Sequence, residues 1–126
     1  MYRIDIDREH AIISFVLDGS IRPEEMKQFF EGMKAAAGTL SGREIKVKSD
    51  LRTFKPLSQE SVDTAREMQQ LGIQLGVVRV AELVESHTAA LQLNRVARES
   101  GADKIMRRFT DEAEARAWLI HGDAAE

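Results

Sequence analysis

The stretch from Asp50 to Ser61 has the clearest potential for chemistry, because it joins a strand pattern to the start of a helix. Ser58 is a favourable N-cap residue for that helix. The first N–H groups of a helix have no intrahelical acceptor, and the helix dipole adds positive charge there. An anion or a phosphorylated serine at this end would be stabilised by up to about 2 kcal/mol. The predicted chemistry is therefore recognition of a polar or anionic group.

Side chains of the same stretch supply charge, hydroxyl groups and apolar surface. Arg52 and Lys55 are suited to an anion, and Phe54 is expected to offer an apolar contact. The candidate residues for binding a partner or for a phosphorylation switch are Asp50, Arg52, Phe54, Lys55, Ser58, Glu60 and Ser61. A structural explanation stays open, because a Ser58 cap and a Leu57 staple also account for the helix start.

The first predicted helix carries a second candidate site. Its methionine and phenylalanine residues recur at helical spacing, which predicts core side chains. The same residue types make an adaptable lining for an apolar ligand where a cavity exists. The residues of this alternative site are Phe29, Phe30 and Met33.

Patterns of the common enzyme mechanisms are absent from the sequence. The chain has no cysteine, no Gly-rich phosphate loop and no Gly-x-Ser-x-Gly elbow. His10, His87 and His121 lie far apart and show no metal-ligand spacing with carboxylates. We therefore expect a non-catalytic protein without a metal ion or another cofactor.

Composition narrows the class further. The 126 residues suffice for one domain, 1–126, and 43% hydrophobic with 31% charged residues is typical of a soluble globular protein. The net charge of −3 gives no overall attraction to nucleic acid or to an anionic membrane. No apolar run approaches the roughly 20 residues that cross a bilayer, and no signal peptide is evident. We expect a cytoplasmic protein that neither binds nucleic acid nor spans a membrane.

Hydrophobic periodicity predicts the elements that position these sites. Strand patterns occupy 2–7, 11–17, 45–48, 77–80 and 104–109, and helical patterns follow each strand from the second onward. The order β-β-α-β-α-β-α-β-α predicts an α/β fold with a single mixed five-stranded sheet. Its first strand is antiparallel, because a short polar turn joins it to the second. Right-handed crossovers make the later strands parallel.

Charged residues interrupt the predicted strands at alternate positions, as at Arg3, Lys48 and Arg79. Parallel strands that are covered on both faces usually form unbroken apolar runs. We therefore expect helices on one face of the sheet and a second face that is at least partly wet. A solvated face explains these charges, and a polar binding surface is the alternative.

The element order and three C-terminal segments together resemble the STAS superfamily, most closely its SpoIIAA-like branch, also called STAS/SEC14-like. The segments are Gly76-Val77-Val78-Arg79-Val80, Arg108-Phe109-Thr110-Asp111-Glu112 and Glu114-Ala115-Arg116-Ala117-Trp118-Leu119. The resemblance covers nearly the whole chain and implies a SpoIIAA-like fold. It also implies a regulatory protein-interaction module like the anti-sigma-factor antagonists of the superfamily. Its SEC14 side implies an alternative, the binding of a lipid or another apolar small molecule.

The resemblance also implies a role for the loop before the second helix. In anti-sigma-factor antagonists the third strand ends in Asp-Leu-Ser, and the second helix opens with Asp-Ser-Ser-Gly, whose second serine a partner kinase phosphorylates. Asp50-Leu51 matches the first motif, and an alignment without gaps places Glu60 at the phosphorylated position. A carboxylate cannot accept the phosphoryl group there, so our hypothesis is a permanent negative charge at Glu60. Ser58 and Ser61 are offset phosphorylation candidates for a kinase-like or regulatory partner.

Overall fold

A β-hairpin followed by alternating helices and strands forms the structure. The computed structural model describes residues 1–125, with side chains for residues 1–123. The strands are β1 (Tyr2–Asp7), β2 (Ile12–Leu17), β3 (Ile45–Asp50), β4 (Val77–Leu83) and β5 (Met106–Phe109). The α-helices are α1 (Pro23–Gly38), α2 (Gln59–Gln74), α3 (His87–Ser100) and α4 (Glu112–His121). Short 3₁₀ turns occupy Ala102–Lys104 and Gly122–Ala125. This order confirms the predicted α/β fold.

The five strands form one mixed sheet in the order β1-β2-β3-β4-β5. β1 pairs with β2 in the antiparallel direction, and every later pair is parallel. Each parallel connection passes through a helix, as crossover connections require. The predicted topology is therefore confirmed, and the carboxyl ends of β2 to β5 share one edge of the sheet.

Side-chain caps begin three of the four α-helices, and the cap of α2 is the predicted Ser58. Ser58 accepts a hydrogen bond from the Ser61 N–H at 3.3 Å, and Ser86 accepts one from Ala89 at 3.2 Å. Asp111 caps α4 through the Ala113 and Glu114 N–H groups. Such side-chain oxygens satisfy N–H groups that lack a partner inside the helix.

The main core lies between the sheet and the layer of α1, α2 and α3. Phe29 of α1 is fully buried at its centre. The ring of Phe29 lies 5.4 Å from Tyr2 and 4.8 Å from Phe15, both in edge-on geometry. Such aromatic pairs contribute roughly 0.5–1.5 kcal/mol each beyond the area they bury.

Helix α4 lies on the opposite face of the sheet, where it packs against β3, β4 and β5. Its buried residues Ala115 and Leu119 form a separate cluster with Ile12 and Ala81. Ala81 and its neighbour Val80 belong to different clusters, because successive strand residues point to opposite faces. The second face is thus partly covered by α4, while Arg3 on β1 stays exposed.

The charged strand residues on this second face hold α4 in place. The Arg79 guanidinium donates to the Leu119 carbonyl at 2.9 Å, and Lys48 Nζ lies 2.7 Å from Glu112 Oε1. The sequence predicts a second face that is at least partly wet, with solvation as one explanation of these charges. The structure shows instead that these two side chains anchor a helix across the sheet.

Candidate functional site

The segment between β3 and α2, which we call the β3–α2 loop (residues 51–58), lies at the carboxyl edge of the parallel strands. In open α/β sheets this edge is where ligands and partners usually bind. One side of its backbone is held by Gly19, which accepts from the Lys55 N–H at 3.0 Å and donates to the Thr53 carbonyl at 3.0 Å. Gly19 has a φ of +69°, a conformation that favours glycine.

The other side of the loop is clamped by Gln92 of α3. Its Oε1 accepts from the Leu57 N–H at 2.7 Å, and its Nε2 donates to the Leu57 carbonyl at 2.8 Å. The loop backbone is therefore fixed from two directions. Nothing in the sequence around Gln92 indicates this clamp, because its partner lies 35 residues earlier in the chain.

The three large apolar side chains of the loop point into the core, whereas Pro56 is exposed. Leu51, Phe54 and Leu57 have exposed fractions of 3%, 4% and 8%. The prediction that Phe54 offers an apolar contact to a partner is therefore wrong. Its ring lies in the core beneath the backbone hydrogen bonds between Gly19 and the loop. Burying a side chain of this size stabilises the fold by roughly 1.5–3 kcal/mol.

Asp50 and Arg52 form a bidentate ion pair at the start of the loop. Arg52 Nε lies 3.0 Å from Asp50 Oδ1, and Nη2 lies 2.7 Å from Oδ2. These hydrogen bonds hold the pKa of Asp50 below its ordinary value and raise that of Arg52. Arg52 Nη2 also lies 3.6 Å from Glu112 Oε2. Lys48 pairs with the same Glu112 carboxylate. The four residues Lys48, Asp50, Arg52 and Glu112 therefore form a network that connects the loop to α4.

The network leaves Lys55 as a free cation on the loop. Its side chain is exposed and makes no ion pair with the residues that the structure describes. At the helix start Glu60 is also exposed, with its carboxylate 3.5 Å from Lys27 Nζ on α1. Lys55 and Glu60 therefore present charges of opposite sign on the outer side of the loop and helix.

The two candidate serines differ in accessibility. Ser58 is exposed, whereas Ser61 is completely buried. The Ser58 hydroxyl also lies 3.3 Å from that of Ser61. Ser61 occupies the side of the first α2 turn that faces the sheet, next to buried Val62, so a modifying enzyme cannot reach it in the folded state. The structure therefore removes Ser61 from the accessible candidates.

The second predicted site is divided between core and surface. Phe29 lies in the core and does not line a cavity, which corrects the prediction for that residue. Phe30 and Met33 do line a groove between α1 and α2, with a volume of about 90 Å³. Ligand pockets typically have about 300–1,000 Å³.

Two further clusters of charged side chains were not predicted from the sequence. Asp7, Glu9 and His10 place potential ligand atoms within 4.8 Å of one another at the β1–β2 turn. Asp7 Oδ2, however, accepts from Arg116 at 2.8 Å, and a guanidinium in the cluster opposes a metal cation. The second cluster lines a cleft of about 250 Å³ beside β5 and contains the ion pair of Glu82 and Arg108.

No helix in the described part of the chain, residues 1–125, is long and apolar enough to cross a membrane.

Two solved structures share the fold over nearly their whole length. An uncharacterised protein of the DUF3478 family with a SpoIIAA-like fold, from Shewanella loihica PV-4, superposes with a TM-score of 0.68 at 20% identity, covering 94% of this chain and 93% of that one. The anti-sigma-factor antagonist SpoIIAA in its unphosphorylated form superposes with a TM-score of 0.65 at 16% identity, covering 94% and 96%. No curated protein matches the sequence significantly.

The sequence comparison with protein families agrees with the structural one. The SpoIIAA-like family matches residues 12–120, from the first residue of β2 to the last turn of α4. The predicted resemblance is therefore confirmed, and the chain belongs to the SpoIIAA-like family.

Proposed function

We propose that the protein is a non-catalytic regulatory module that binds another protein through the outer side of the β3–α2 loop and the start of α2. We call this region the loop surface; it consists of Arg52, Lys55, Ser58 and Glu60. The fold shared with the anti-sigma-factor antagonist SpoIIAA supports a regulatory role. The location of the loop surface, at the carboxyl edge of the sheet, supports a binding role.

The observation that carries the proposal is the rigidity of the loop together with its outward charge. Gly19 and Gln92 fix the backbone, and Leu51, Phe54 and Leu57 are buried, so the outward side chains are polar apart from Pro56. A loop that is ordered before binding loses little conformational entropy when a partner docks. Exposed charges of both signs at Lys55 and Glu60 favour a partner with a complementary polar patch.

Glu60 distinguishes this proposal from a phosphorylation switch. It provides a carboxylate at the helix start where the resemblance implies a phosphorylated serine, and its side chain is 62% exposed. A carboxylate near a helix N-terminus is stabilised by the helix dipole. We propose that partner binding here depends on this permanent charge. Ser58 is the remaining serine at which a kinase could add a second level of control.

A charge reversal on the loop surface tests the proposal. Lys55→Glu removes the free cation without touching the internal ion pairs, so it is expected to lower partner recovery at least tenfold in quantitative affinity capture. Lys104→Glu is the matched control, because Lys104 is also exposed but lies in the 3₁₀ turn before β5. Equal recovery of the same partners by both variants and the wild type would contradict the proposal that partners bind through the loop surface.

The lipid-carrier alternative has less support from the geometry. The groove lined by Phe30 and Met33 has about 90 Å³, which is below the size of typical ligand pockets. A diacyl lipid does not fit such a groove without a separation of α1 and α2. The loop surface is therefore the favoured site of action.

A further inference from the structure

Strand β1 forms an outer edge of the sheet, because it lies at the end of the strand order, beside β2. An edge strand presents backbone N–H and C=O groups with which a strand of another chain can pair. Proteins often block such an edge with a proline, a bulge or charges. β1 contains no proline, and its antiparallel register with β2 is continuous. The charges of β1 therefore decide whether a second strand can pair with it.

The hydrogen bonds to β2 fix which backbone groups of β1 face outward. Met1 and Asp18 exchange two of them, from the Asp18 N–H at 2.8 Å and from the Met1 nitrogen at 2.9 Å. Bonded pairs alternate along an antiparallel ladder, so the odd-numbered residues of β1 bond to β2. The N–H and C=O groups of Tyr2, Ile4 and Ile6 therefore point to the outer edge. No hydrogen bond from the described residues reaches them there.

The side chains of β1 alternate between the two faces of the sheet. Tyr2 packs on Phe29 of α1, so Arg3 and Asp5 lie on the opposite face. The side chains of Arg3 and Asp5 are 72% and 71% exposed, and Arg3 Nε lies 3.5 Å from Asp5 Oδ2. The accessible part of the strand thus presents one cation and one anion, two residues apart.

Antiparallel pairing of two copies of β1 brings these charges together in one register. When Ile4 lies opposite Ile4 of a second copy, Arg3 lies opposite Asp5 of that copy on both sides of the centre. The outward backbone groups of the two strands also meet in this register. A shift of two residues in either direction places Arg3 against Arg3 or Asp5 against Asp5. Like charges directly opposite each other are destabilising, so the charges select the register centred on Ile4.

The outer strand at the other end of the sheet lacks this complementarity. β5 has only four residues, and its two central residues are Arg107 and Arg108. Antiparallel pairing of two copies of β5 would place one arginine against another, which is destabilising. The edge at β1 is therefore the one that suits a second copy of the same chain.

We propose that two copies of this chain form a symmetric dimer through antiparallel pairing of their β1 strands, centred on Ile4. Each copy uses the same patch, so the assembly closes at two copies. One short strand pair is expected to bury less than the roughly 1,200 Å² of a stable interface, so the dimer should dissociate on dilution. The inference is independent of the proposed function, because the loop surface lies at the carboxyl edge of the sheet and stays uncovered.

Complementary charge reversals test the dimer. Arg3→Asp makes both charges of the pair negative, and Asp5→Arg makes both positive, so copies of either variant repel one another. Each reversal is expected to weaken self-association about tenfold or more. An equimolar mixture of the two variants restores both unlike pairs and should associate as tightly as the wild type. Sedimentation equilibrium of the full chain, from micromolar to millimolar protein, measures all of these cases.

Arg98→Asp is the matched control, because Arg98 is an exposed arginine on α3. It should dimerise like the wild type. A wild-type chain that stays monomeric throughout, a dimer that the β1 reversals do not weaken, or a mixture that does not associate would overturn the proposal.

Hydrogen exchange of the wild type checks the register without a substitution. The Ile4 and Ile6 amides should gain protection as the protein concentration rises, because only the dimer gives them acceptors. The Asp5 amide bonds to β2 and should be protected at every concentration. Exchange of the Ile4 amide that does not depend on concentration would also refute the dimer.

Discussion

At the scale of single residues, the most consequential charge is that of Glu82. It is 98% buried, with an exposed fraction of 2%, beneath α3. Parallel pairing of β4 and β5 places Arg108 directly beside it, with Nε 3.0 Å from Glu82 Oε1. Arg108 Nη2 also donates to Asn94 Oδ1 at 2.9 Å. The pair is neutral as a unit, and loss of either partner leaves a charge without compensation.

We predict that Arg108→Ala lowers the free energy of unfolding by about 3 kcal/mol, because it leaves Glu82 as an unpaired buried carboxylate. Glu82→Gln in the same background should restore part of the loss. Urea unfolding of the single and double variants gives both values. Arg98→Ala, a substitution of an exposed arginine on α3, is the control, and an equal effect of the two single variants would contradict this account.

A second residue-scale prediction concerns Asp7 at the end of β1. Hydrogen bonds from Arg116 at 2.8 Å and from His10 hold the pKa of Asp7 well below its ordinary value. Such a carboxylate contributes stability above its unfolded pKa of roughly 3.9, and the contribution is lost as pH falls through the folded pKa. Asp7→Asn should therefore be clearly less stable than the wild type at pH 6, and the difference should shrink below pH 4. Thermal unfolding across this range measures it, and a difference that grows toward acid pH would disprove the assignment.

At the scale of elements, the sequence predicts features that depend on a few neighbouring residues, such as the starts of helices. Ser58, Ser86 and Asp111 begin their helices in the structure because capping needs only a few neighbouring residues. The position of α4 on the second face was not predictable in this way. Its stripe of Ala115 and Leu119 fits either face, and only the fold brings Ile12 and Ala81 beneath it.

The burial of side chains in the β3–α2 loop was equally difficult to predict from the sequence. Loop residues have no periodicity, so the sequence does not distinguish an exposed Phe54 from a buried one. The ring turns inward because Gly19 and Gln92 hold the backbone from places that are distant in sequence. The sequence shows which residues of this loop are charged. It does not show which of them form internal ion pairs and which stay free.

Removal of the Gln92 clamp should loosen the loop. Gln92→Ala leaves the Leu57 N–H and carbonyl without their partners, which is expected to cost about 2 kcal/mol of unfolding free energy. The Leu57 amide should also lose its protection from hydrogen exchange. Gln59→Ala is the matched control, since that side chain makes only an exposed contact with Asp63 at 3.1 Å. Unchanged protection of Leu57 in Gln92→Ala would show that the clamp is not needed.

At the scale of the whole molecule, α2 extends from the loop surface to the groove between α1 and α2. The loop surface lies at its first turn, and the groove contacts its last two turns, roughly 20 Å away at 1.5 Å per residue. The ion pairs of Lys48 and Arg52 with Glu112 connect the loop to α4 on the other face of the sheet. The loop surface is thus supported by both helical layers, as a preformed binding site requires.

Photo-crosslinking in the native cell is the most direct test that a preformed polar loop surface binds a protein. A crosslinking amino acid replaces Thr53, beside the loop surface, in one variant and Lys104 in another, so that Lys55 and Glu60 stay in place, and both replaced side chains are exposed. We expect a discrete protein adduct from position 53 that is absent from position 104 and that decreases when the wild-type chain is coexpressed. The same adducts from both positions, or adducts from position 104 alone, would contradict it.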